Sequence, residues 1–324
     1  MKFSTWLASL KRPIEQVLAE QFAFGNRETM FEFLDLPLNH LIHGELQHGY
    51  ATAPALVAQS SDRKRKKNGL LYPFYVWSDL LNFRMKKMGH ESCFSIAAPW
   101  ALIVNAYENG FIRLDQDFSF SEQKIVYFPT HSYHGMISTS VDLNSLNQSL
   151  SRFNRNDISV CLYWLDFLSP DIRQRYIDLG FKEIVCLGYR GSPSGEFPWV
   201  DIGGRVKFNR RLLNLLTSSS LVICDEVSTA FWAACSLGKE VFVTLAEVPI
   251  EDYWSNKLRK LNNFNLQRIK ETFGNESTFP FREIVNSGGF IQNAARENFG
   301  WDKINETSQV LKTKESKILS EIYF

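Results

Sequence analysis

Residues 221–244 read LVICDEVSTAFWAACSLGKEVFVT. The apolar run Leu221 to Cys224 is what a strand buried on both faces requires. Asp225-Glu226-Val227 leaves that run, and Ser228-Thr229 opens a stretch of small and aromatic residues that Gly238 closes. Val241 to Thr244 is the next apolar run. A strand, a helix and a strand with joints this short predict one β-α-β unit of a parallel sheet. At the start of the helix, unbonded N–H groups and the positive end of the helix dipole lie beside two hydroxyls. That combination suits an anionic group, and Ser and Thr also stand there as plain caps.

The same alternation extends upstream. Strands are predicted at Ile125–Phe128, 158–165 and 183–188, with helices at about 141–153, 170–179 and 206–217. Pro170 sits where a first helical turn tolerates proline, and Gly180 ends that helix. Nearer the N-terminus, Leu70 to Trp77 reads as a buried strand, Ser78 or Asp79 as the cap of a helix at about 80–88, and Phe94 to Ala98 as a short apolar run closed by Pro99. Residues 3–24 carry helical apolar spacing interrupted by Pro13, and read as an amphipathic helix, not a signal peptide. The tail from about 251 is polar with helical spacing, expected to pack back on a domain. The fold expected is α/β, with two Rossmann-like domains, a cleft between them and a helical C-terminal extension. The predicted boundaries are 1–120, 121–250 and 251–324.

Composition narrows the function. Lys and Arg number 36 and Asp and Glu 35, so no global field draws the chain to nucleic acid, and any anionic partner needs a local patch. The five cysteines form no C-x-x-C pair, and Cys161, Cys186 and Cys224 fall in apolar runs; they read as buried hydrophobes in a reducing, cytoplasmic compartment. No stretch is long and apolar enough to span a bilayer. The run Arg63-Lys64-Arg65-Lys66-Lys67 reads as a solvated loop or as a contact with an anionic membrane surface or lipid-linked acceptor.

The pair Ser228-Thr229, the helix, and Leu237-Gly238-Lys239 before a strand resemble the nucleotide-binding segment of GT-B glycosyltransferases that build bacterial surface polysaccharides. Two positions depart from that pattern: Phe231-Trp232-Ala233 occupies the region where many members carry a ribose-holding Glu, and Glu240 stands where Pro is usual. The departures leave the donor nucleotide open, CMP-activated acidic sugars included. IVYFPTHSYHGMIS, residues 125–138, is similar to the strand and loop that open the second domain in such transferases and in glycerol-phosphate polymer synthases. His43-Gly44 and Gln47-His48-Gly49 look like the His-Gly loop that faces the acceptor in the same group.

The resemblance implies a metal-independent glycosyltransferase. It would move a sugar from a nucleotide-sugar co-substrate to an envelope polysaccharide or lipid-linked glycan, with no resident cofactor and no nucleic-acid partner, at the inner face of the cell membrane. His48, or His43, would be the general base, with Glu45 orienting or replacing either. His131, Ser132, His134, Arg190, Glu226, Ser228 and Thr229 would hold the donor, helix dipoles and a basic side chain standing in for a metal. The histidines are equally readable as loop residues, and Glu226 as a partner of the helix dipole. The competing functions are transfer of a polyol phosphate from a CDP-activated donor, a non-catalytic binding protein of the same fold and, third, nucleic-acid binding through residues 63–67, which predicts salt-sensitive affinity lost with that loop.

Overall fold

The computed structural model describes residues 26–34, 36, 42, 45–47, 73–114, 125–130, 143–188, 208–244 and 282–312. They belong to two compact units, one drawn from 1–113, 188–209 and 296–324, the other from 114–187 and 210–295. The predicted helix at 3–24 lies outside the described residues.

The first unit holds α1 (Asn26–Leu34), β1 (Glu45–Leu46), β2 (Phe74–Val76), α2 (Asp79–Lys87), β3 (Cys93–Ser95) and α3 (Pro99–Glu108). The strands form a parallel sheet in the order β1-β2-β3, with Leu46 opposite Tyr75 and Tyr75 opposite Phe94. α2 is the β2-to-β3 crossover. Ser78 caps it by accepting from the Leu81 amide at 3.2 Å, which settles the cap in favour of Ser78. Leu81 and Met85, one turn apart, bury against Val76 and Cys93. α3 follows the apolar run that Pro99 was expected merely to close; proline is its first residue, and Pro99 to Val104 are all buried. α1 packs against α3.

The C-terminal residues return to this unit, as the sequence suggested. The Ala98 amide donates to the Phe299 carbonyl at 2.9 Å, and the Ala97 amide to Thr307 Oγ1 at 2.8 Å. The Trp77 and Phe299 rings lie 5.7 Å apart. Gly300 makes the approach possible: its φ is +63°, and a Cβ there would sit 2.6 Å from the Ile96 carbonyl oxygen and closer still to that of Trp77.

The second unit runs β4 (Ile125–Phe128), α4 (Leu143–Leu150), β5 (Ile158–Cys161), α5 (Trp164–Leu168), α6 (Pro170–Asp178), β6 (Glu183–Val185), α7 (Phe208–Ser218), β7 (Leu221–Cys224), α8 (Thr229–Ser236), β8 (Glu240–Val243), β9 (Ile284–Asn286) and α9 (Phe290–Asn298). Its six strands are ordered β6-β5-β4-β7-β8-β9. The first five in chain order are parallel, with Phe128 opposite Cys224 and Cys224 opposite Val243. This is the doubly wound order of a Rossmann sheet: the chain builds outward from β4 to one side, returns, and builds outward to the other. The two central strands β4 and β7 are short and continuously apolar, as strands covered on both faces are, and β5 and β7 are buried at every position.

Two expectations are corrected. The strand read at 158–165 ends at Cys161, and Trp164–Leu168 turns into the short helix α5, because Ser169-Pro170 then starts α6 directly. The C-terminal extension is not helical throughout: Ile284–Asn286 pairs antiparallel with β8, Val241 facing Val285. Alternation over three residues is too short to outweigh the polar, helix-favouring composition around it.

Candidate functional site

Doubly wound sheets bind ligands outside the carboxyl ends of their strands, at the point where strand order reverses, because the helices following the two central strands leave on opposite faces and part there. In the second unit that point lies between β4 and β7. The loops that leave these strands begin at Pro129 and Asp225. The two segments singled out by sequence are therefore neighbours across one strand pair.

A buried carboxylate ties the edge together. Asp225 follows the last residue of β7 and is 2% exposed. Both of its oxygens lie 2.9 Å from the Tyr127 hydroxyl, which donates to them. Oδ2 also accepts from the Thr130 amide at 2.9 Å, and Oδ1 from the Thr244 hydroxyl at 2.7 Å. These donors come from the ends of β4 and β8, so one side chain fastens three strand ends. Burial raises the carboxyl above the ordinary aspartate range, opposed by the bonds from Thr130, Thr244 and Tyr127. Burial, and then the adjacent carboxylate, raise the Tyr127 phenol, which stays protonated and serves as a donor. The Asp225 carboxyl is enclosed and its acceptor sites are in use, so it is a positioning residue: it fixes where residues 129–130 and 226–228 stand.

The sequence nominates Glu226, whereas the residue that organises this edge is its neighbour Asp225. The signal was present, an acidic residue directly after a wholly apolar strand, but only the fold shows that the side chain turns inward. Glu226 is half-buried, and its carbonyl accepts from the Ser228 amide at 2.9 Å. Ser228 is the N-cap of α8; its hydroxyl accepts from the Phe231 amide at 3.4 Å, long for such a bond. Ser228, Thr229 and Ala230 are partly exposed, whereas Phe231 to Ser236 are buried. The helix thus offers solvent only its first turn, where the backbone amides concentrate.

The family-pattern positions on α8 divide clearly. Phe231 and Trp232 meet edge to face at 5.2 Å and are fully buried, so this part of the helix is core and supplies no carboxylate. Gly238, at φ +69°, ends the helix. Lys239 lies at the opposite, N-terminal edge of the sheet, its ammonium donating to the carbonyls of Thr217 and Ser219 at 2.9 and 2.8 Å. Those are terminal carbonyls of α7, so the Leu-Gly-Lys tripeptide serves the scaffold here and stands away from the β4/β7 crevice.

Of the other nominated residues, Glu45 lies in β1, opposite Phe74. The next described position past that strand, Gln47, is buried; its amide donates to the Tyr75 carbonyl at 2.9 Å and its side-chain oxygen accepts from the Trp77 amide at 3.0 Å. His43, His48, His131, Ser132, His134 and Arg190 lie outside the described residues, as does the basic run 63–67. Among the described residues no group of His, Cys, Asp and Glu is arranged to hold a metal ion. One spelling bears on metal use: Asp115-Gln116-Asp117 is an Asp-x-Asp triplet, also outside the described residues. The five cysteines are free and buried, as their apolar settings implied. Among the described residues no helix is long and apolar enough to cross a membrane.

No family model matches the chain, and no curated protein matches it. Solved structures do. A UDP-GlcNAc 2-epimerase from Neisseria meningitidis bound to UDP-GlcNAc is 14% identical, with a TM-score of 0.36 over 78% of this chain and 67% of that one. The wall teichoic acid polymerase TagF is 14% identical, with a TM-score of 0.37 over 88% and 72%. The S. aureus MnaA–UDP structure is 14% identical, with a TM-score of 0.37 over 78% of this chain and 66% of that one. The chain thus spans about two thirds of the length of MnaA. The class of the protein rests on its own strand order: α/β, with a parallel sheet in each unit and a doubly wound, Rossmann-like second unit.

Proposed function

We propose that the chain is a nucleotide-sugar-dependent glycosyltransferase acting on an envelope polysaccharide or lipid-linked glycan at the inner face of the cell membrane. The observation that carries this reading is the meeting of the β4 and β7 loops at the switch point, held in register by Asp225 through Tyr127, Thr130 and Thr244. A preset edge of this kind, with a helix presenting only its first turn, suits the phosphates of a nucleotide donor.

In this reading the donor phosphate rests on the amides and hydroxyls at Ser228 and Thr229. His131, Ser132 and His134 follow the Thr130 amide that Asp225 fixes, and contact the phosphate or the leaving group. Arg190, two residues past the last described residue after β6, neutralises donor charge. Glu226 takes ribose or sugar hydroxyls. His48 removes the acceptor proton, with His43 and Glu45 as its alternatives. As the leaving nucleotide gains charge, the α8 dipole and the basic side chains stabilise it in place of a metal. Arg63–Lys67 meets the anionic surface that carries the acceptor.

Titration calorimetry with UDP-, GDP-, CMP- and CDP-linked donors tests this. One class is expected to bind, and Ser228→Ala with Thr229→Val to weaken it about tenfold or more, the loss of one or two hydrogen bonds to a charged group. CDP-polyol binding with phosphoryl transfer would move the reaction class to polyol-phosphate transfer. Absence of binding by every donor would leave a non-catalytic protein of this fold.

A further inference from the structure

The outer face of α2 has no role in the donor reading. Leu80, Phe83 and Met88 are 48%, 57% and 46% exposed. They are three of the eight exposed large apolar side chains among the described residues, within nine consecutive positions. Positions 80, 83, 84 and 87 share one face of the helix, turned away from Leu81 and Met85, which fill the core beneath, and Met88 is its exposed C-cap. Large apolar side chains of this segment therefore stand in solvent as well as in the core. Its last turn adds Arg84, Lys86 and Lys87, the Lys87 ammonium lying 5.0 Å from the centre of the Phe83 ring. The acid at its start, Asp79, is paired with Lys303 at 2.8 Å.

In the sequence, positive charge is concentrated in and just before this helix. Residues 60–91 carry eight Lys or Arg (63–67, 84, 86, 87) against three acids (62, 79, 91), a net +5. The chain as a whole carries +1, so the remaining residues carry −4. A helix with an exposed apolar stripe, long cationic side chains at its border and a cationic segment preceding it has the chemistry of an interfacial helix on anionic lipid.

We infer that the outer face of α2 is a docking surface for an anionic phospholipid bilayer, with Leu80, Phe83 and Met88 entering the headgroup layer and Arg84, Lys86 and Lys87 meeting lipid phosphates. Ordinary capping of a helix C-terminus by basic residues accounts for the cations, but not for three large apolar groups left in water beside them. The inference rests on the membrane placement in the proposed function and names the surface that makes it, and it can fail separately from donor binding.

Flotation with vesicles of phosphatidylglycerol and phosphatidylcholine, and with phosphatidylcholine alone, tests it. The chain binds the first and much less the second. Leu80→Ser with Phe83→Ser lowers binding about 25-fold, near fivefold per half-exposed side chain removed from the interface. Lys86→Gln with Lys87→Gln lowers it by a similar factor, near fivefold per charge, and salt reproduces that loss. Both variants keep the parent's melting transition and nucleotide titration, since neither alters the core. Because the native cysteines are all buried, Phe83→Cys offers a single accessible thiol; a polarity-sensitive dye on it shifts to the blue with anionic vesicles. The inference is overturned if the parent chain ignores anionic vesicles, if both double variants bind as well as the parent, if the dye at position 83 reports water throughout, or if the stripe mediates only self-association.

Discussion

Replacing Asp225 by Asn tests the keystone of the proposed site with the smallest change of shape. The carboxylate accepts from the Tyr127 hydroxyl, the Thr130 amide and the Thr244 hydroxyl. Asn offers one oxygen and one NH2. The Thr130 N–H cannot rotate, so the oxygen must face it, and the Thr244 hydroxyl must turn to accept from the new NH2. That rearrangement exchanges charge-assisted bonds for neutral ones and removes the burden of a buried charge, and about 1–2 kcal/mol of stability is lost. Asp225→Ala instead strands the buried Tyr127 and Thr244 hydroxyls, leaves the half-buried Thr130 amide to water, and costs about 3–5 kcal/mol. The assay is urea unfolding followed by tryptophan fluorescence, with Tyr127→Phe completing a double-mutant cycle. Burial raises the folded Asp225 pKa above 3.8, so the folded state holds its proton more tightly than the unfolded chain. This group's contribution is therefore most favourable below the ordinary aspartate pKa and is lost as pH rises through the folded value. The Asp225→Asn variant has no such slope, so the gap between parent and variant narrows in that direction. Equal unfolding midpoints for the parent, D225N and D225A would refute the reasoning, because a carboxyl that can be deleted at no cost holds nothing in place.

Other outcomes follow from the same structure. Gly300→Ala forces a Cβ onto the Trp77 and Ile96 carbonyls at a left-handed φ, and is expected to cost about 3 kcal/mol or more, read as a lowered denaturation midpoint. Lys239→Met strips the ammonium from the Thr217 and Ser219 carbonyls and costs about 1–2 kcal/mol, while leaving donor titrations unchanged, since it lies at the far edge of the sheet. For the proposed reaction, sugar transfer is expected to persist in EDTA if helix dipoles and basic side chains carry the leaving nucleotide; loss of turnover in EDTA, restored by Mg²⁺ and abolished by Asp115→Asn with Asp117→Asn, would reassign that role to a metal.

Much of the second unit was legible in the amino-acid order. Leu221–Cys224 is a strand end to end as read, and the neighbouring runs 125–128, 170–178 and 229–236 match expectation to within a residue or two at either end. These signals are local: apolar runs bounded by Ser caps, Pro170 and left-handed glycines act within a few residues of themselves. Cys224 and Cys161 were recognisable as core for the same reason. Trp164–Leu168 and Ile284–Asn286 were not, since a five-residue helix and an edge strand take their conformation from what they pack against. Strand order was equally beyond reach of local signals. That β4 lies between β5 and β7, so that Thr130 donates to the Asp225 carboxylate 95 residues away, is a fact of pairing. The inward turn of Asp225, the removal of Lys239 to the opposite edge and the exposure of Phe83 belong to the same class. Sequence alone determined the central strands and helices of the second unit and where a helix begins with hydroxyls; tertiary structure decided the short and edge elements and which of those beginnings stand together, because hydrogen bonds between strands join residues the chain order keeps apart.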